Sequence, residues 1–304
     1  MTAQNRFRPH PGWSNFYAAF SAEQSQLVTL QLTSDTITPL GAYMQCAQPH
    51  DYAFILESVE GGQHLGRYSV VGMAPDLIWR CERGTARITL YDDSLKELTD
   101  GPQSLPALES LKQVHTASLI DDVPDHLPPM AASGLFGNLG YDMVREIEAI
   151  PDNNPDTLGL PDATMIRPSR MIVFDNSKHV ITLAVPVYHH VGNSMQDAET
   201  VYLQAKNALR EMANRLNHAS ARQIAQVPSK GSVERAMARM DVQANMDRAT
   251  YTRVVEHCRD YIYAGDVFQV LPSLRFQFTP ACSGLDMYRA LRRINPSPFM
   301  FYLK

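Results

Sequence analysis

Apolar residues recur along this chain with two different periods, and the switches between them mark out most of its elements. Val28–Leu32 alternates briefly and reads as a strand. Thr38-Pro39 opens a short helix that ends near Cys46, because proline suits a first helical turn. From Phe54 to Tyr91 the strand signal dominates. The runs Phe54–Val59, Arg67–Val71, Asp76–Cys81 and Ala86–Tyr91 are punctuated by Gly61-Gly62, by Gly72 with Pro75, and by Arg83-Gly84, which predicts an antiparallel meander. Leu108, Leu111 and Val114 repeat at three over a helix spanning Pro106–Val114. Strands over Met165–Phe174 and Val180–Val187 flank the turn Asp175-Asn176-Ser177-Lys178. A long helix over 194–217 carries the stripe Val201, Ala205, Leu209, Met212 and Leu216.

The pattern then lapses. Residues 220–247 are polar, with Pro228 and Gly231, and read as an exposed linker. Beyond them Tyr251, Val254, Val255, Cys258, Tyr261 and Ile262 form the apolar stripe of a helix that Gly265 can close. Val267–Phe278 reads as a strand bulged or edged by Pro272, followed by a helix over Leu285–Ile294. Asn295-Pro296-Ser297-Pro298 stops that helix, and Phe299–Leu303 begins another strand. The expected organisation is a polar segment over 1–26, mobile or draped, a first domain over 27–219, the linker 220–247, and the start of a second domain over 248–304. The last piece is too small to bury its own faces. It is read either as an appendage or, preferably, as the opening of a domain that continues past Lys304.

Composition narrows the class. Hydrophobic residues make up 44% and charged residues 19%, enough for a sizeable core. Lys and Arg number 27 against 32 Asp and Glu, a net charge of -5 that suits no nucleic-acid partner. No stretch approaches the roughly eighteen consecutive apolar residues of a bilayer span, and Met1–Arg6 lacks the apolar run of a signal peptide. A cytoplasmic location is expected. Cys46, Cys81, Cys258 and Cys282 show no CxxC spacing, which argues against a zinc site or a disulfide framework.

Residue chemistry alone defines no catalytic constellation. Gly134, Gly137 and Gly140 lack dinucleotide-fingerprint spacing and sit among aromatics, so turns and close backbone packing are the better reading. His257 beside Cys258 reads as an exposed imidazole next to a buried thiol. Two segments stand out. In Phe54–Gly62 a buried-looking strand ends in Glu57-Ser58, either a tight turn or a strand end that offers a carboxylate and a hydroxyl to a ligand with an ammonium and a carboxylate. In Asn295–Phe301 two prolines stiffen a corner before large apolar groups, Met300 among them, which could cup an aromatic ring or simply join helix to strand.

Taken in order, Leu56-Glu57-Ser58 with Gly66-Arg67-Tyr68-Ser69, Gly137–Arg145, Ala264–Val270 and Asn295–Tyr302 resemble anthranilate synthase component I from about residue 30 to the end of the chain. Aminodeoxychorismate synthase component I shares most of these motifs. The resemblance implies an α/β (α+β) fold of layered antiparallel sheets with outer helices. It also implies a lyase of tryptophan biosynthesis that converts chorismate and ammonia to anthranilate and pyruvate with Mg2+. Ammonia would come from a glutamine amidotransferase partner, component II. The family's acidic metal ligands and acid/base groups are expected beyond Lys304, so the resemblance implies no catalytic or metal-binding residue here and a chain inactive by itself. It does imply a tryptophan feedback site at Glu57, Ser58, Pro298, Phe299 and Met300, with Arg67 a further basic contributor. Phe299 stands where the family often has Tyr, and Pro272 and Leu274 depart from its polar pattern. A non-catalytic tryptophan-binding fragment is the alternative from another class.

Overall fold

The computed structural model describes residues 7–60, 64–91, 98–189, 195–217 and 240–304. The chain divides into two compact units, one of Met1–Ala221 with Leu291–Lys304 and one of Arg222–Ala290.

The first unit is built on an antiparallel sheet, nine-stranded among the described residues. Its central path runs β1 (Gln26–Thr33), β8 (Val180–Val187), β7 (Ala163–Asp175), β3 (His64–Glu82), β2 (Phe54–Glu60) and β11 (Phe299–Leu303). β4 (Thr85–Leu90) and the two-residue β5 (Gly101–Pro102) extend the far half of β3, and β6 (Phe136–Leu139) pairs with β7. The expected meander is present as β2–β3–β4, with one correction. The runs at 67–71 and 76–81 are a single 19-residue strand. Gly72 and Pro75 do not break it, because the β3–β7 register shifts between Pro75 and Leu77 and so accommodates a residue with no N–H to donate. The Gly61-Gly62 turn lies outside the described residues.

Apolar layers cover the sheet. Phe54, Val70, Met171, Val173 and Ala184 pack with Ile120, Leu127 and with Ala131 of the short helix α4 (Met130–Ser133), and the Phe54 and Phe136 rings stack 4.3 Å apart. A second cluster joins Leu77, Trp79 and Ile88 to Ala107 and Val114 of helix α3 (Ala107–Thr116), where the Trp79 indole N–H donates to Ser110 Oγ at 3.1 Å. Helix α5 (Met195–Asn217) packs on β8 and β1 with the expected stripe, Ala205, Leu209, Met212 and Leu216 all buried. Thr38 caps α2 (Pro39–Ala42) through the Gly41 N–H, and the helix runs on as a π-turn over Tyr43–Ala47.

Part of the expected entry segment, 1–26, is helical. Residues Trp13–Ser21 form helix α1, whose Phe16 and Phe20 are buried. Phe16 lies 4.7 Å from the Tyr202 ring of α5, and burial of each such ring stabilises by roughly 1.5–3 kcal/mol. Aromatic contacts across the unit thus hold a segment whose local sequence looks loose.

In the second unit, Asp247 caps helix α6 (Arg248–Ala264) by accepting from the Thr250 N–H, and Gly265 ends it in the left-handed region at φ 82°. The Gly265 terminus matches the sequence pattern, but no residue of α6 is buried and Cys258 is only partly covered. Strand Val267–Phe278 is a further correction. Only Phe276–Gln277 (β10) is paired, against β9 (Gln243–Ala244), and Phe268 and Leu271 are exposed. Pro272 has no N–H to extend a ladder and no second partner strand lies beside it among the described residues. Within the expected linker, 220–239 lie outside the described residues. Helix α7 (Gly284–Ile294) follows, with Ser283 accepting from the Asp286 N–H. Its last turn and all of β11 belong to the first unit. No helix of the described residues is long and apolar enough to cross a membrane.

Candidate functional site

Strand β2 is buried on both faces at Phe54 and Ile55 before it reaches Glu57 and Ser58. There its pairing with β3 shifts register, and Ser58 occupies the irregularity between Glu57 and Val59. Gly66 lies directly beneath. A Cβ at Gly66 would sit 2.0 Å from Ser58 Oγ and 3.0 Å from the Ser58 carbonyl carbon, so only glycine admits the hydroxyl there. Ser58 is half-buried, and its Oγ has no hydrogen-bond partner among the described residues.

On its other edge β2 receives β11. Phe299 pairs with Ser58, Met300 with Glu57 and Phe301 with Leu56. Two segments more than two hundred residues apart in sequence therefore meet side by side, and Pro298 enters this pairing directly from the proline corner. Directly opposed residues of antiparallel strands share a face, and successive residues alternate. Ser58 and the largely exposed Phe299 accordingly stand on one face, with Phe301, while Glu57 and the buried Met300 stand on the other. The structure thus brings Glu57, Ser58, Pro298, Phe299 and Met300 into one seam and distributes them over both sides of it.

Arg67 is placed differently. It lies on β3 next to Gly66, but its guanidinium turns to Asp175 of β7, with Nη2 to Oδ2 at 3.3 Å, and covers the Tyr68 ring. Burial pushes the Asp175 pKa up, but donation from Ser177 Oγ, Arg67 and the Lys178 N–H outweighs it and leaves the carboxyl below the usual range. A folded-state pKa below the unfolded one stabilises at neutral pH, and that contribution is lost as pH falls from about 4 through the lowered value. Asp175→Asn should therefore lower the urea midpoint at pH 7, and the gap to wild type should narrow at pH 3.

The buried carboxylate of Glu57, 1% exposed, has a partner that the sequence did not suggest. Arg292 on the last turn of α7 grips it with Nε 2.7 Å from Oε2 and Nη2 2.8 Å from Oε1. Arg292 stands beside Arg293 at a helix end, where cations are favoured anyway. Nothing in the local pattern distinguishes it.

Among the described residues, no group of three or more His, Cys, Asp or Glu side chains could hold a metal ion. Nor is there an activated thiol in the core, since burial pushes Cys46 up to about 11. Gly137 and Gly140 pack against strand backbone as expected. Their added Cβ atoms would come within 1.9 Å of Thr164 O and 2.7 Å of Asp162 O. A shallow groove of about 580 Å³ between α3 and residues 129–135 is lined by Leu108, Leu111, His115 and Met130, apart from the seam.

With strand order, proline corner and seam in view, the class is defined. Residues 38–304 match the family described as chorismate binding enzyme, and the chain belongs to that family. More particularly, it is similar to anthranilate synthase component 1 of Cereibacter sphaeroides, at 39% identity over 95% of this chain and 55% of the relative. The protein of the same name from Thermus thermophilus is 34% identical over 89% of this chain and 51% of the relative. The chain spans about half the length of the curated relatives it matches. The crystal structure of anthranilate synthase component I from Streptococcus pneumoniae superposes with a TM-score of 0.57, covering 88% of this chain and 53% of that one. At 22% identity this likeness shows the shared fold, a mixed α/β structure of antiparallel sheet and helices.

Proposed function

We propose that this chain acts as component I of anthranilate synthase, in the cytoplasm, in the formation of anthranilate and pyruvate from chorismate and ammonia. A component II glutamine amidotransferase would supply the ammonia. Magnesium would polarise the substrate carboxylate in that reaction. We assign ligand binding and regulation to the described residues and bond breaking to none of them.

The regulatory ligand is tryptophan, and the β2–β11 pairing carries this reading. It brings the Ser58 hydroxyl, unpartnered among the described residues, beside the exposed ring of Phe299 and next to a proline corner outside the described ladders. Ser58 Oγ and the Pro298 carbonyl accept from the ammonium, and the Phe299 and Phe301 rings cover the indole with an aromatic shelf. Occupancy of the seam then lowers chorismate affinity, and chorismate lowers tryptophan affinity by the same factor. Isothermal titration of the folded chain with tryptophan should show one saturable site, with phenylalanine markedly weaker. Ser58→Ala should weaken binding about tenfold, the loss of one hydrogen bond to a charged group. Absence of tryptophan heat from well-folded protein would overturn the reading.

A further inference from the structure

Glu57 is the least exposed acidic group of the seam, and it does not face a ligand. Its two carboxylate oxygens are held by the two-pronged grip of Arg292, the geometry in which a guanidinium binds a carboxylate most strongly and with fixed direction. The same residue is the cross-strand partner of Met300. Glu57 therefore fastens the 292–300 segment at both ends, at Arg292 through side chains and at Met300 through the ladder. Between these points lies Asn295-Pro296-Ser297-Pro298, all exposed and joined to no strand. Without the fork, the corner would be anchored only by β11, a five-residue edge strand paired on one side. A carboxylate with 1% exposure and no cation would also be strongly disfavoured, so the pair cannot separate cheaply.

We infer that Glu57 and Arg292 are a positioning pair, which clamps the proline corner onto β2 so that Ser58 and Phe299 present together on the opposite face, and that Glu57 does not itself receive the ligand's ammonium. This rests on the amino-acid-binding reading of the seam, and the two roles for Glu57 give opposite outcomes. If the carboxylate were a ligand contact, Arg292→Met would release it and tighten tryptophan binding. If it is the clamp, Glu57→Gln and Arg292→Met each weaken binding about tenfold, and the double variant is no weaker than either single one. Arg292→Lys keeps the charge, loses the fork and falls between. Thermal melting of each variant confirms folded material before titration.

A second measurement judges the clamp without any ligand. Hydrogen–deuterium exchange should accelerate at least about tenfold at the paired amides of β11 in Arg292→Met while β7 and β8 keep their protection. Unchanged exchange in β11, or tryptophan binding as tight as wild type in Arg292→Met, overturns the inference. If the wild-type chain binds no tryptophan, the ligand reading fails and exchange in β11 still decides the clamp.

Discussion

Asp76→Ala is expected to destabilise the protein by about 3–5 kcal/mol, the cost of leaving a buried charge without its counter-ion. Arg167, 1% exposed, reaches Asp76 through Nε at 2.8 Å and Nη2 at 3.0 Å. Its third nitrogen, Nη1, donates to Ser118 Oγ at 3.1 Å, and the guanidinium lies 4.1 Å from the centre of the Tyr188 ring. Ser118 Oγ in turn donates to Val114 O at the end of α3. Removing the carboxylate leaves a serine hydroxyl and an aromatic face as company for a full positive charge. Against a total stability of about 5–15 kcal/mol this is a large fraction, and the urea midpoint should fall accordingly. An apolar replacement of both partners, Asp76→Leu with Arg167→Met, should recover much of the loss, because the penalty belongs to the orphaned ion. Coincident midpoints for Asp76→Ala and wild type would refute the account.

The second large effect is expected at Gly137. Strand β6 runs so close to β7 that a methyl group there would lie 1.9 Å from Thr164 O and 2.9 Å from Met165 Cα, both backbone atoms that cannot step aside alone. Gly137→Ala should therefore cost about 3 kcal/mol or more, through separation of the two strands. Gly12→Ala is the control, because nothing lies within 4 Å of the added atom. Its cost should stay below about 1 kcal/mol. Differential scanning calorimetry of the two variants compares them directly, and equal melting temperatures would show that the strands separate freely.

How far these features could be read beforehand follows from their range. The strand pair at 163–175 and 180–187 was legible because runs of apolar, largely β-branched residues and a turn with Asp, Asn and Ser lie within one short window. Helix α5 was legible because its stripe, Val201 to Leu216, repeats over about four turns. The Thr38 cap and the Gly265 terminus are likewise local chemistry. Helix α1 was not, since Phe16 and Phe20 find their burial against Tyr202, supplied by a helix far along the chain. Pro75 misled in the opposite direction, because a register shift absorbs it inside β3. In the seam, the oddness of Glu57-Ser58 and of the proline corner was visible, but not their strand register. The two structural arginines, Arg167 and Arg292, find carboxylates 91 and 235 positions away, and no local pattern announces such partners.

The late arrival of β11 has a consequence for biosynthesis. Between Glu60 and Phe299 the ribosome must add 238 residues (298 − 60), which at roughly 5–20 residues per second takes about 12–48 s. Throughout that interval β2 presents an open row of backbone donors and acceptors, with Leu56 and Ser58 uncovered by their eventual partners. The nascent chain is thus open to intermolecular strand addition along β2, most of all once α5 has been made and the rest of the first unit is ready to fold.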